Sequence, residues 1–142
     1  MGFRIKIEGG PETIELSKTN VISVEYLMET PDDSNAKSTD VATTVEIVGR
    51  ILTAVDGDGP NHTIKLAQWS NISAEQADCY RKLSVEVLNA SQIVRKLFLP
   101  NAFVVDYSEN FANDDGTGTF RLKARQKKDK IENVTVEGGY GF

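Results

Sequence analysis

The chain has 142 residues, of which 39% are hydrophobic and 26% are charged, a size and composition typical of one folded domain. Its formal net charge of -5 argues against nucleic-acid recognition, because proteins that bind DNA or RNA usually present a basic domain or stripe. The lone cysteine, Cys79, excludes an internal disulfide and fits cytoplasmic assembly, and the apolar runs are too short for membrane insertion.

The first half of the chain has the alternating pattern of half-buried strands. Gly49 lies within the third strand and indicates a bulge, a bend or a close backbone approach. We expect these apolar faces to point to the core: Phe3, Ile5 and Ile7 in the first strand; Ile22, Val24, Tyr26 and Met28 in the second; and Val45, Ile47, Ile51, Thr53 and Val55 in the third.

The second and third strands are separated by a long polar segment, residues 30–40, which is almost without apolar side chains. It is longer than the usual hairpin loop, and loops of unusual length often carry function. A solvated or partner-facing loop is favoured over an acid–base pair, because nothing around its carboxylates indicates burial. Its charged side chains are Asp32, Asp33, Lys37 and Asp40.

A helical region is predicted over residues 61–78, after the turn 56–60. Residues 63–70 suit one short helix that Asn61 or Thr63 could cap, and Ser73 with Gln76 fits the start of a second helical turn. Trp69 is more plausible in the core than on a binding surface.

The remainder of the chain returns to strands. A hairpin is predicted around Asn89–Ser91, Pro100 is expected to end its second strand, and a polar turn follows near residues 113–118. A short last strand is predicted over residues 133–137. The inward-facing apolar residues are Leu83, Val85 and Val87; Ile93, Leu97 and Leu99; Phe103, Val105 and Tyr107; and Phe120, Leu122 and Ala124. About eight strands and one short flanking helix predict a mainly β, single-domain barrel or sandwich over residues 1–142.

Residues for catalysis are scarce. His62 is the only histidine, so a pair with Cys79 is formally possible, but a capping or exposed histidine is favoured because no motif supports the pair. One histidine and one cysteine cannot build a structural zinc site, and Asp56 with Asp58 fits a turn better than a calcium loop. We therefore predict no catalytic residues, no metal and no cofactor.

One strand carries an unusual run of positive charge. Alternation places Arg121, Lys123, Arg125 and Lys127 on one face. Three interpretations remain open: a solvated strand face, a surface for an acidic partner, or a surface for the acidic loop of a neighbouring subunit.

From Ile64 to Ile131, the order of helix, strand, hairpin, Leu99–Ser108 and polar turn, followed by Phe120-Arg121-Leu122, resembles the hemolysin-coregulated proteins of type VI secretion and phage tail-tube proteins. The resemblance implies a split β-barrel, a ring of six copies stacked into a tube, a loop that reaches a neighbouring subunit, and sheath or baseplate partners in a phage-like particle. The whole chain also looks like clostridial proteins catalogued as a membrane-associated protease, which implies a peptidase.

The leading hypothesis is therefore a structural tube subunit without chemistry of its own. A hydrolase built on His62 with Cys79, or on the aspartates of the loop 30–40, is the alternative from another class. A small β-barrel binding module for a peptide or sugar is the third, with Trp69 and the Tyr140–Phe142 tail as its aromatic contacts.

Overall fold

A computed structural model describes residues 1–29, 42–52, 62–72, 75–113, 118–127 and 134–141. Within these residues it contains nine strands and one α-helix. In chain order the elements are β1 (Gly2–Glu8), β2 (Ile14–Leu16), β3 (Val21–Glu29), β4 (Ala42–Ile51), α1 (His62–Ser70), a 3₁₀ turn (Ala77–Cys79), β5 (Arg81–Asn89), β6 (Gln92–Asn110), β7 (Gly118–Gln126), β8 (Thr135–Glu137) and β9 (Tyr140–Gly141).

The strands form one antiparallel sheet with the order β2-β1-β5-β6-β7-β4-β3, and β8 and β9 pair separately with β6. The prediction of a mainly β fold with one flanking helix is confirmed. The predicted hairpin is also confirmed: β5 and β6 are joined at Ala90 and Ser91, and Ala90 has a φ of 54°.

The two ends of this sheet path, β2 and β3, are neighbours in sequence. Only residues 17–20 join them, and the backbone N–H groups of Asn20 and Val21 both donate to the Ser17 carbonyl, at 3.0 and 2.9 Å. A link of this length spans at most roughly 18 Å, so the sheet must curl until its ends lie close together. No ladder joins β2 to β3 in the described part of the chain, and the barrel is therefore split there.

β6 corrects one sequence prediction, because Pro100 does not end the strand. The strand runs for 19 residues, pairing with β5 up to Ala102 and with β7 from Ala102 onward. Pro100 falls where the β5–β6 register shifts, so its missing N–H removes no regular ladder bond. We call β2, β1, β5, β8, β9 and residues 92–101 the first sheet half, and residues 102–110, β7, β4 and β3 the second sheet half.

The core lies between the two sheet halves and is closed on one side by α1. Trp69 is 1% exposed and donates from Nε1 to the Cys79 carbonyl at 2.8 Å, with the Arg81 guanidinium 5.5 Å from the centre of the ring. The core position expected for Trp69 is confirmed, which removes it from the contacts available to a binding module.

The close backbone approach predicted as one option at Gly49 is present. A Cβ there would lie 2.6 Å from the Asn20 carbonyl oxygen and 2.7 Å from the Phe120 ring. β3 has a register shift between Val21 and Ser23, opposite this region of β4. Thr53 and Val55, predicted on the same face, lie outside the described residues.

Two predicted apolar faces were wrong in part. On β3, Val24 and Tyr26 pack against the core, but Ile22 and Met28 are 45% and 49% exposed. Ile22 lies in the register shift between Val21 and Ser23, and Met28 lies next to the end of β3, the last strand of the sheet path. On β6, Val105 is exposed because the register shifts between Val104 and Asp106.

The helical region differs in detail from its prediction. Thr63 lies inside α1 instead of capping it, and its buried hydroxyl has no hydrogen-bond partner in the described part of the chain. Asn61 and Ser73 are outside the described residues, as is the polar loop 30–40. None of the helices that are described has the length and apolar character needed to cross a membrane.

Candidate assembly surfaces

The predicted basic face lies on β7, between β4 and the second half of β6. Register places Lys123 between Glu46 and Asp106, and Arg125 between Thr44 and Phe103. The structure therefore brings the predicted cations together on one strand but also places two carboxylates beside them. Lys127 follows the end of β7.

These cations already have contacts within the chain. Arg121 Nε lies 3.0 Å from Glu46 Oε1, Arg125 Nε donates to Thr44 Oγ1 at 3.3 Å, and Lys127 Nζ lies 5.0 Å from the centre of the Tyr80 ring. The Arg121 side chain is 64% exposed, and solvent-exposed ion pairs contribute only roughly 0–1 kcal/mol. The face is therefore a mixed-charge surface, and its Arg121–Glu46 ion pair adds little to stability.

The β2 edge is covered by α1. His62 Nδ1 accepts a hydrogen bond from the Glu15 backbone N–H at 3.1 Å, and Lys65 Nζ lies 2.6 Å from Glu12 Oε2. Hydrogen bonding and charge from Lys65 hold the pKa of the Glu12 carboxyl below its usual range. Sequence reasoning did not find this role of His62, because its partner is 47 positions away.

The β3 edge is uncovered within the described residues. Its nine residues present one row of backbone groups without a described partner strand, and such rows can pair with another chain. Exposed apolar side chains accompany the edge, namely Ile22, Leu27 and Met28.

Within the described part of the chain, a second edge without a partner strand runs along residues 103–110 of β6. β7 pairs with one side of this stretch, whereas β5 begins at Arg81, opposite Ala102, and does not extend along the other side. Tyr107 stacks on Phe120 with 6.4 Å between ring centres. Burial, followed by the nearby Glu109 carboxylate, raises the pKa of Tyr107 above its ordinary value.

A cleft of about 640 Å³ lies beside β1 and β2, and His62 is part of its lining. Its charges partly compensate one another, since Arg4 Nε lies 3.3 Å from Glu86 Oε1. Cys79 is 5% exposed and is not among the described residues that line the cleft. The described lining of the cleft thus does not bring His62 together with Cys79.

Within the described ranges, no group of three or more His, Cys, Asp or Glu side chains could hold a metal ion. Asp56 and Asp58, which were predicted to form a turn and not a calcium loop, lie outside those ranges, as do Asp32, Asp33, Lys37 and Asp40.

No family model and no curated protein matches the chain, so no match supports the resemblance to proteins catalogued as a membrane-associated protease. Solved structures do match. A chain of the six-fold symmetrised anti-feeding prophage baseplate aligns with a TM-score of 0.56 and 12% identity over 96% of this chain and 92% of that one.

Two further structures have the same fold. Hcp1 from Flavobacterium johnsoniae aligns with a TM-score of 0.52 and 16% identity, over 98% of this chain and 99% of that one. A chain of the extended sheath–tube complex of PVC, an extracellular contractile injection system, aligns with a TM-score of 0.51 and 10% identity, over 96% and 88%. The chain thus shares its fold, nearly end to end, with Hcp1 and with components of the prophage baseplate and this injection system.

Proposed function

We propose that the chain is a structural subunit that binds copies of itself into a ring, and that the rings stack into the tube of a phage-like particle or contractile injection apparatus. The observation that carries the proposal is the match to Hcp1 over 98% of this chain and 99% of that one. We infer a ring of six copies, sheath or baseplate proteins as further partners, and no catalytic activity.

The sheet topology supplies a way to close a ring. The second sheet half ends on one side at β3 and on the other at residues 103–110, and neither edge is covered by a described strand. Pairing of β3 in one copy with residues 103–110 in the next would continue this sheet half from copy to copy. A head-to-tail contact of this kind closes into a ring when its rotation allows.

The charged surfaces give a second contact between copies. We propose that the loop with Asp32, Asp33, Lys37 and Asp40 binds the basic β7 face of a neighbouring copy. Arg121 would exchange Glu46 for a loop carboxylate, and the exposure of the Arg121 side chain keeps the cost of that exchange low. Lys123, Arg125 and Lys127 extend the same face along the chain.

The direct test is the assembled state of the purified chain. We expect rings or tubes in negative-stain micrographs and a mass of several subunits by light scattering at high protein concentration. A strictly monomeric protein under these conditions would overturn the proposal.

A variant tests whether ring formation depends on the β3 edge or on nonspecific hydrophobic association. Replacing Leu27 and Met28 by lysine puts two positive charges on this edge at positions that are 45% and 49% exposed. We expect rings to be lost with the far-UV circular dichroism unchanged, because charged residues on an edge oppose strand pairing. Ile64→Lys is the control, since Ile64 is 51% exposed on α1, away from that edge, and should leave rings intact.

A further inference from the structure

The C-terminal strands occupy an edge of their own. β5 pairs with one side of residues 92–102 of β6, and β8 and β9 pair with the other side. Lys96 lies opposite Glu137, Ile93 lies opposite Tyr140, and the Gly139 N–H donates to the Ile93 carbonyl at 2.9 Å. Residues 134–141, which we call the C-terminal strap, therefore complete the edge of the first sheet half.

The strap buries little of its own surface. Thr135, Val136 and Glu137 are all exposed, and Val134 is its only described residue that packs against the core. Elements with few buried apolar contacts open at a low cost in free energy. The strap should therefore leave β6 far more often than β5 does.

The path of the strap nevertheless fits this edge closely. A Cβ on Gly138 would lie 2.1 Å from the Val94 carbonyl oxygen, so only glycine allows this approach. Gly139 has a φ of 78°, in the region that favours glycine. The strap thus fits this edge specifically, but it is bound to the edge weakly because it buries little apolar surface.

We propose that the β6 edge at residues 92–98 is an interaction surface for the C-terminal strap of a second copy. The strap of one chain leaves its own β6 and pairs with β6 of its neighbour in the same register. Exchange of an identical element costs little, because every contact made between copies is one already made within the chain. This link does not use β3 or residues 103–110, and it stands independently of ring closure.

Mixed single-cysteine variants test the exchange, all in a Cys79→Ala background. Lys96→Cys protein is mixed with Glu137→Cys protein, incubated and oxidised. Directly opposite residues in an antiparallel pair have Cα atoms about 4.5–5.5 Å apart, which a disulfide can span. We expect a disulfide-linked dimer containing one of each chain, identified by mass spectrometry.

The matched control is a mixture of Arg4→Cys and Glu86→Cys proteins, which are register partners on β1 and β5. These strands pair along seven residues, so they should not exchange and should give at least tenfold less mixed dimer. Absence of mixed dimer from the Lys96 and Glu137 pair, or an equal yield from both pairs, would overturn the proposal.

Two further variants identify the contact. Gly138→Val on the Glu137→Cys chain should lower the mixed-dimer yield several-fold, because its side chain would collide with the Val94 carbonyl; an unchanged yield would overturn the proposed register. Leu27→Lys with Met28→Lys should leave the yield unchanged even where rings are lost. A parallel fall would assign the crosslink to ring contacts instead of strap exchange and would overturn the proposal.

Discussion

The two ends of the sheet path, β2 and β3, differ in whether a described element covers them. β2 has three residues and is covered by α1 through His62 and through Lys65 with Glu12. β3 has nine residues and no described covering element, and it carries exposed apolar side chains. Strand edges without a partner can pair with another chain. The proposed ring contact therefore uses β3, the end that no described element covers, and not β2.

The largest expected loss of stability is on the side of the sheet that α1 covers. Trp69→Ala removes the largest buried side chain of α1 and its hydrogen bond to the Cys79 carbonyl, and should lower the free energy of unfolding by about 3–5 kcal/mol. Urea denaturation followed by circular dichroism measures the loss. Ile22→Ala on the open edge is the control and should cost no more than about 0.5 kcal/mol. Similar losses for both would contradict the contrast between the two edges.

The second-largest loss of stability is expected at Gly49, where β4 passes the link between β2 and β3. Gly49→Ala places a methyl group against the Asn20 carbonyl and the Phe120 ring, and should destabilise the fold by about 1–3 kcal/mol. Gly2→Ala is matched in chemistry, and its nearest neighbour would be 3.9 Å away, so it should be close to neutral. Equal midpoints of urea unfolding for the two variants would show that β4 does not approach Asn20 and Phe120 closely at Gly49.

A smaller effect is expected where α1 meets β2. His62→Ala leaves the Glu15 N–H without its acceptor and should cost about 0.5–1.5 kcal/mol of unfolding free energy. Amide hydrogen exchange at Glu15 should accelerate, while exchange along β5 stays unchanged. Ile64→Ala, on the exposed side of α1, should alter neither quantity. Unchanged exchange at Glu15 would show that His62 does not cover this edge.

The smallest effect depends on pH. Lys65 lowers the pKa of Glu12, so the carboxylate contributes stability above the usual carboxyl pKa, and that contribution is lost as the pH falls through the lowered value. Thermal unfolding of Glu12→Gln should begin slightly below that of the parent chain at neutral pH. The two midpoints should converge in strong acid. A difference between the two midpoints that does not change with pH would show that the ion pair with Lys65 does not cause it.

Sequence pattern predicted the elements whose structure depends on local chemistry. The alternation of Phe120, Leu122 and Ala124, and the β5–β6 hairpin, were predicted because strands and turns follow from neighbouring residues. The continuation of β6 through Pro100 was not predicted, because it depends on a register shift opposite β5.

The surfaces were predicted less completely than the strands. Alternation shows which side chains share a face but not whether anything covers it, which is why Ile22 and Met28 were placed in the core. The cations of β7 could be grouped from sequence. Their neighbours Glu46 and Asp106 could not, because they come from strands whose register is fixed only in the folded chain.

The pairing of β1 with β5 has a consequence for the order of folding. Arg4 and Glu86 are 82 positions apart, so the first strand must wait for a distant partner, whereas β3 and β4 follow each other in sequence. Contacts between distant residues form slowly because of their loop-closure entropy. During synthesis, the β3 edge can therefore form by pairing with β4 while β1 is paired only with β2 and its distant partner β5 has not yet been made.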